Sequence, residues 1–214
     1  MIGVGLNYAD HIAEFNHHVP SEPIIFLKPS SSVIGTNSHI IYPDITSRVD
    51  YEAELGVVIG ETARNVEPGK ALQKVLGYTC GNDVTARDLQ PKDGQWTVAK
   101  SFDTFMPLGP WIETELEPSN LAVSAYLNGE KKQSSNTVNL IFGVPELVEF
   151  LSSVMTLEPG DLLAIKNTLI VSRSAKHIFE DAAEEVPYLA NTAGDLADGL
   201  GLIDTISKTI SDRG

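Results

Sequence analysis

Val49-Asp50-Tyr51-Glu52-Ala53-Glu54-Leu55-Gly56-Val57-Val58-Ile59 alternates with a period of two. Val49, Tyr51, Ala53, Leu55, Val57 and Ile59 share one face, and Asp50, Glu52, Glu54, Gly56 and Val58 share the other. Successive side chains of a strand point to opposite sides, so the pattern predicts a strand over 49–59. The same geometry sets Glu52 and Glu54 side by side, about 7 Å apart at the backbone. Two adjacent carboxylates repel each other, and a hard divalent cation such as Mg²⁺ relieves that repulsion. An antiparallel sheet with one solvated face would give the same pattern. The pair therefore reads either as metal ligands or as a wet face.

Outward from this stretch, the first 164 residues read as short strands punctuated by Gly, Pro, Asn and Asp. Ile2 to Leu6 and Ile24 to Leu27 are apolar strands, with a short helix predicted over Asn7 to Phe15 between them. Val66 to Leu76, opened by Glu67-Pro68, reads as a helix, and a strand follows toward Cys80. Leu121 to Leu127 alternates and ends at Asn128-Gly129, a hairpin-turn dipeptide. Pro145 to Ser153 reads as a helix with proline in its first turn. Leu157-Glu158-Pro159-Gly160-Asp161 is a turn into a further strand. Beyond Ile165 the character changes. Lys176 to Val186 reads as helical, and Leu196, Leu200, Ile203, Ile206 and Ile210 form a helical stripe interrupted by Gly199 and Gly201. The expected division is a β-rich body over 1–164 and a helical segment over 165–214.

Composition narrows the function classes. The 214 residues carry 15 Lys and Arg against 29 Asp and Glu, a net charge of −14. Nucleic-acid binding needs a positive footprint, and anionic membranes attract basic segments, so neither is expected. The single cysteine, Cys80, excludes an internal disulfide framework and cysteine-rich zinc modules. There is no basic n-region with an apolar h-region at the start, which leads to the expectation of a cytoplasmic protein, or a mitochondrial one if a targeting segment precedes this sequence.

Four further groups of residues could carry chemistry. Asp83, in Gly81-Asn82-Asp83-Val84-Thr85-Ala86-Arg87-Asp88, is either a third oxygen ligand at a strand end or ordinary turn chemistry. His11 and Glu14 share a face of the predicted helix. A carboxylate beside an imidazole raises its basicity, as a general base requires; a surface pair would look the same. Lys100, in Val98-Ala99-Lys100-Ser101-Phe102, and Lys28, in Phe26-Leu27-Lys28-Pro29, are lysines in apolar company. Each either meets an anion or snorkels to solvent. No phosphate loop, nucleophile elbow or His-Glu-x-x-His occurs.

Taken together and in order, Gly5-Leu6-Asn7-Tyr8-Ala9-Asp10-His11, Phe26-Leu27-Lys28-Pro29-Ser30, Asp50-Tyr51-Glu52-Ala53-Glu54-Leu55, Gly77-Tyr78 through Asp88, Ala99-Lys100-Ser101-Phe102-Asp103 and Leu157-Glu158-Pro159-Gly160-Asp161 resemble the fumarylacetoacetate hydrolase superfamily. The likeness is to its short acylpyruvate hydrolase and oxaloacetate decarboxylase-like members. It implies an α+β, β-rich fold around a rolled β-sandwich, and a homodimer. It implies one Mg²⁺ or Mn²⁺ on Glu52, Glu54 and Asp83, a water-activating dyad of His11 and Glu14, and Lys100 facing the substrate. Arg87, Gln90 and Lys28 would be polar substrate contacts. The implied reaction is C–C hydrolysis of an acylpyruvate-type 2-oxo acid, with decarboxylation of oxaloacetate as a second activity. The alternatives are an isomerase or decarboxylase of the 2-hydroxymuconate type, or an impaired metal-binding relative that acts through its tail.

One departure stands out. Superfamily members usually follow the Pro-Gly-Asp turn with a Gly-Thr-Pro-x-Gly-Val-Gly loop and closing strands. Here Ala164 is followed by Ile165-Lys166-Asn167-Thr168-Leu169-Ile170-Val171, and that loop is absent. The expectation is that the metal triad survives while substrate contacts are lost and the tail takes the place of the closing strands.

Overall fold

The computed structural model describes residues 1–9, 19–92 and 94–166, together with the backbone of Tyr188–Thr192. Its strands are β1 (Ile2–Gly5), β2 (Ile24–Leu27), β3 (Val33–Ile34), β4 (Val49–Asp50), β5 (Ala53–Ile59), β6 (Val75–Asn82), β7 (Thr85–Ala86), β8 (Met106–Glu113), β9 (Ala122–Leu127), β10 (Glu130–Asn136), β11 (Leu162–Lys166) and β12 (Tyr188–Thr192). Among the described residues, the α-helices α1 (Thr97–Lys100) and α2 (Val144–Val154) accompany them. The result is a β-rich α+β fold.

The principal sheet has seven strands in the order β2-β1-β11-β5-β6-β8-β3. β10-β9-β12 form a second sheet, and β4 pairs with β7. Burial of both faces of β5 explains the long run of apolar residues in it. On one face, Leu55, Val57 and Ile59 join Ile2, Val4, Leu163 and Ile165 under Leu147, Val148 and Leu151 of α2. On the other face, Val58, Leu162, Ala164 and Met106 form a smaller cluster. Glu52 and Glu54 are almost wholly buried, so the wet-face reading is excluded.

α2 begins where predicted. Proline lies in its first turn, and Glu146 accepts from the backbone N–H of Gly143 at 2.7 Å. The Asn128-Gly129 turn also forms as expected. Both residues have positive φ, 52° and 77°, and they join β9 to β10 in a two-residue hairpin.

Three local expectations need correction. The strand predicted over 49–59 breaks at Tyr51-Glu52, because its partners change there. β4 pairs with β7, whereas β5 lies between β6 and β11. At the junction, side chains replace the ladder. Asn82 Oδ1 accepts from Glu52 N, Gln133 Oε1 accepts from Ala53 N, both at 2.9 Å, and Gln133 Nε2 donates to Tyr51 O at 3.2 Å. The helix predicted over Val66 to Leu76 is a 3-10 helix over Pro68–Lys74, and Val75 already belongs to β6. The segment beyond residue 165 is not uniformly helical: β11 continues to Lys166, and Tyr188–Thr192 is a strand antiparallel to β9. The predicted helix over Lys176 to Val186, the stripe from Leu196 to Ile210, and most of the predicted helix over Asn7 to Phe15 lie outside the described residues. No helix among the described residues is long and apolar enough to cross a membrane.

Candidate metal centre

Backbone register builds the site. Ala53 pairs with Asn82 across β5 and β6, and Asp83 N donates to Glu52 O at 2.9 Å just beyond that pair. Two chain segments thirty residues apart are thereby tied at their ends, and three carboxylates converge. Glu52, Glu54 and Asp83 each offer an oxygen, all within 4.8 Å of one another. All three side chains are buried. The turn reading of Gly81-Asn82-Asp83 gives way to a strand end that aims Asp83 inward.

Cations crowd two of these carboxylates. Lys28 Nζ donates to Asp83 Oδ1 at 2.6 Å. Lys100 Nζ donates to Glu52 Oε2 at 2.7 Å and also to Asp83 Oδ2. Arg87 reaches Glu52 Oε1 through Nη2, Asp50 Oδ2 through Nε at 2.7 Å, and Gln90 Oε1 through Nη1. Lys166 Nζ donates to Glu52 Oε1 at 2.7 Å. Neither lysine of the sequence reading snorkels: Lys28 and Lys100 are both buried on carboxylates.

Glu54 differs. Both of its oxygens are buried, and neither has a hydrogen-bond partner among the described residues. An unpartnered buried carboxylate is costly, which is why such groups pair, bind a metal or take up a proton. Burial and the neighbouring Asp83 charge push its carboxyl well above the usual range, with Lys100 opposing in part. At Glu52 burial pushes the same way, but Lys100, Lys166 and Arg87 prevail and hold it well below the ordinary value. Two glutamates only two residues apart thus sit at opposite ends of the carboxylate range, set apart by their neighbours. Burial likewise lowers Lys28 despite Asp83, whereas at Lys100 three carboxylates outweigh burial and raise it.

These residues fit a hard divalent ion. Three oxygen donors on one rigid sheet end leave coordination positions open, and the bare oxygens of Glu54 are the observation that favours occupancy. The wall of the site is aromatic. Lys100 Nζ lies 5.1 Å from the centroid of the Phe26 ring, which meets Trp96 edge-on at 5.6 Å. Gly3 and Gly5 of β1 make room for this wall: a Cβ at either would stand 2.2 Å from Phe26 or 2.5 Å from Trp96.

Of the nine residues singled out, Glu52, Glu54, Asp83, Lys100, Lys28, Arg87 and Gln90 are linked in one network or cluster. His11 and Glu14 lie outside the described residues. Sequence reasoning missed Lys166, Asp50 and Asn82. The available signal for Lys166 was a lysine ending the otherwise apolar Leu162-Leu163-Ala164-Ile165. Asp50 was visible as the acid two residues before Glu52, yet its role as anchor of Arg48 and Arg87 depends on the fold.

Residues 1–165 match the family described as fumarylacetoacetate (FAA) hydrolase C-terminal. A protein of Archaeoglobus fulgidus is 55% identical over 194 residues, covering 90% of this chain and 78% of its own length. Among solved structures, 5-carboxymethyl-2-hydroxymuconate delta-isomerase from Mycobacterium smegmatis aligns with a TM-score of 0.71 and 47% identity, over 77% of this chain and 66% of that one. The 2-hydroxyhepta-2,4-diene-1,7-dioate isomerase of Mycobacterium marinum aligns with a TM-score of 0.70 and 44% identity, over 77% of this chain and 61% of that one. The chain thus spans just under two thirds of these two solved relatives.

Proposed function

Because the chain belongs to the fumarylacetoacetate hydrolase family, we propose that it is a Mg²⁺- or Mn²⁺-dependent enzyme that hydrolyses a C–C bond of acylpyruvate-type 2-oxo acids. The observation that carries this reading is the buried Glu52, Glu54 and Asp83 cluster with both Glu54 oxygens unpartnered. Glu52, Glu54 and Asp83 would hold the divalent ion, which would supply Lewis-acid polarisation of a bound 2-oxo acid.

The chain's own residues do the rest. His11, oriented by Glu14, takes a proton from water as general base. The hydroxide attacks the distal carbonyl, the bond from that carbon to C3 breaks, and pyruvate leaves as its enolate. Lys100 faces the substrate; its ammonium between Glu52 and Asp83 supports the assignment. Arg87, Gln90 and Lys28 are the remaining polar groups assigned to the substrate. The buried Phe26 ring beside Lys100 lowers the local dielectric, which strengthens the electrostatic interactions of that lysine. The same reading takes the chain as a homodimer. Leu76, Trp111 and Ile112, exposed on the paired strands β6 and β8, offer it apolar surface.

A second reading is an isomerase of 2-hydroxymuconate-type dienoates, favoured by the names of the two solved relatives. One panel separates the two. The purified chain with Mg²⁺ is assayed against acetylpyruvate, fumarylpyruvate, oxaloacetate and 5-carboxymethyl-2-hydroxymuconate, with products identified by mass. Hydrolysis predicts pyruvate from the first two substrates. His11→Ala should reduce that rate by about 10²–10⁴-fold and slow oxaloacetate decarboxylation less, since decarboxylation needs no attacking water. Isomerised product without pyruvate would select the second reading. No turnover of any substrate, with Mg²⁺ still bound, would leave a metal-binding relative without catalysis.

A further inference from the structure

We propose that the Lys166 ammonium is a tethered competitor for the divalent-ion site, seated on Glu52 when the site is metal-free and expelled when an ion enters. The proposal rests on the reading of Glu52, Glu54 and Asp83 as metal ligands, and adds a residue that acts against the ion. Lys166 is the last residue of β11, and register sets it directly opposite Glu54 on β5. Paired residues of neighbouring strands project to the same face, so Lys166 rises on the carboxylate side of the sheet with Leu162 and Ala164. Its Nζ lies 2.7 Å from Glu52 Oε1, and the side chain is only 9% exposed. This is a buried ion pair rather than a solvated lysine near an acidic patch.

Three cations hold Glu52 in this arrangement. Oε1 accepts from Lys166 and Arg87, and Oε2 accepts from Lys100. An ion bridging the three carboxylates needs an oxygen of Glu52, and Oε1, which already carries two cationic donors, opens only if one of them gives way. Arg87 is held independently by Asp50 and Gln90. Lys100 bridges Glu52 and Asp83 and faces the Phe26 ring. Lys28 bonds Asp83 rather than Glu52. Lys166 has Glu52 as its single hydrogen-bond partner among the described residues. It is a point charge on a flexible four-carbon stem, so it can leave by rotating its own side chain. An ammonium within a few ångströms of a doubly charged ion is repelled, so ion and ammonium exclude one another at Oε1. The metal's apparent affinity is then set partly by the chain itself.

Two measurements test the exchange. Isothermal titration of Mg²⁺ into the full chain should give a Kd at least about tenfold tighter for Lys166→Met than for wild type, the scale on which residues around a metal's ligands alter affinity. Equal or weaker binding by the variant overturns the exchange while leaving the metal site intact. Absence of Mg²⁺ binding in both proteins overturns the metal reading together with it. The second measurement uses wild type alone and decides the matter should the variant not fold. Lysine acetylation by an N-hydroxysuccinimide ester is followed by mass spectrometry in EDTA and in saturating Mg²⁺. Lys166 should react slowly without the ion and several-fold faster with it, while Lys70, 63% exposed, reacts equally in both. A Lys166 that stays protected in Mg²⁺ overturns the proposal.

Discussion

Glu52 and Glu54 are chemically identical and two residues apart, yet the fold gives them opposite surroundings. Three cations contact Glu52, and none donates to Glu54 among the described residues. Two substitutions should therefore differ in the metal-free protein. Glu52→Gln leaves the buried Lys100 and Lys166, and the half-buried Arg87, short of a counter-charge and should lower unfolding free energy by about 3–5 kcal/mol. Glu54→Gln removes no hydrogen bond and should leave metal-free stability nearly unchanged. Both should weaken Mg²⁺ binding strongly, because each removes a charged ligand. Urea unfolding in EDTA, paired with Mg²⁺ titration, checks both halves, and equal destabilisation by the two variants would contradict the asymmetry. Asp88 provides a separate test. Burial nudges its carboxyl upward, but bonds from Thr46 and Ser47 prevail and hold it at about 2. A depressed folded-state value stabilises above the unfolded value of about 4 and loses that contribution as pH falls toward 2. Asp88→Asn should thus lower the Tm at pH 6, with the gap to wild type closing by pH 2.

At the scale of elements, the sheet face opposite the carboxylates is sealed by α2. Leu147, Val148 and Leu151 are fully buried in one apolar cluster with Leu55, Val57 and Ile59 of β5 and Leu163 and Ile165 of β11. Leu151→Ala should cost about 2–5 kcal/mol through lost burial and the cavity left behind. Denaturant unfolding measures that cost. Mg²⁺ affinity of the folded variant should stay within a few-fold of wild type, because no ligand is touched. A loss of binding larger than the loss of stability would show that α2 tunes the carboxylates directly.

The whole molecule couples these parts. A ligand that binds only the folded state adds stability in proportion to its saturation. Mg²⁺ at a hundred times its Kd should add about 2.7 kcal/mol, which for a chain of this size corresponds to a Tm rise of about 5–10 °C. Differential scanning fluorimetry across an Mg²⁺ series checks this, and EDTA should reverse it. The same instrument tests the C-terminal strand. β12 covers one edge of β9. Truncation after residue 187 should expose that edge, lower the Tm and promote aggregation. Mg²⁺ binding should survive, since no residue of the triad is removed. A truncated chain with an unchanged melting curve would show that β12 adds nothing to the body.

What was legible from sequence follows from covalent geometry and local propensity. Alternation over 49–59 identified a strand and set Glu52 beside Glu54, because a period of two belongs to any extended chain. Asn128-Gly129 specified its turn because both positions require positive φ. Pro145 and Glu146 marked the start of α2 through the unpaired N–H groups of its first turn. Residue order along the chain carried the family resemblance, and with it Asp83 and Lys100. Tertiary structure alone decided what these residues meet. The carboxylates are buried beside an apolar cluster that Val58, Met106, Leu162 and Ala164 assemble from three different strands. The strand breaks at Glu52 because its neighbours change from β7 to β6 and β11. Lys166 reaches Glu52 across 114 residues of sequence through the β11–β5 register. No local pattern encodes that pairing, since a register is chosen by the burial of whole strands rather than by any residue within them.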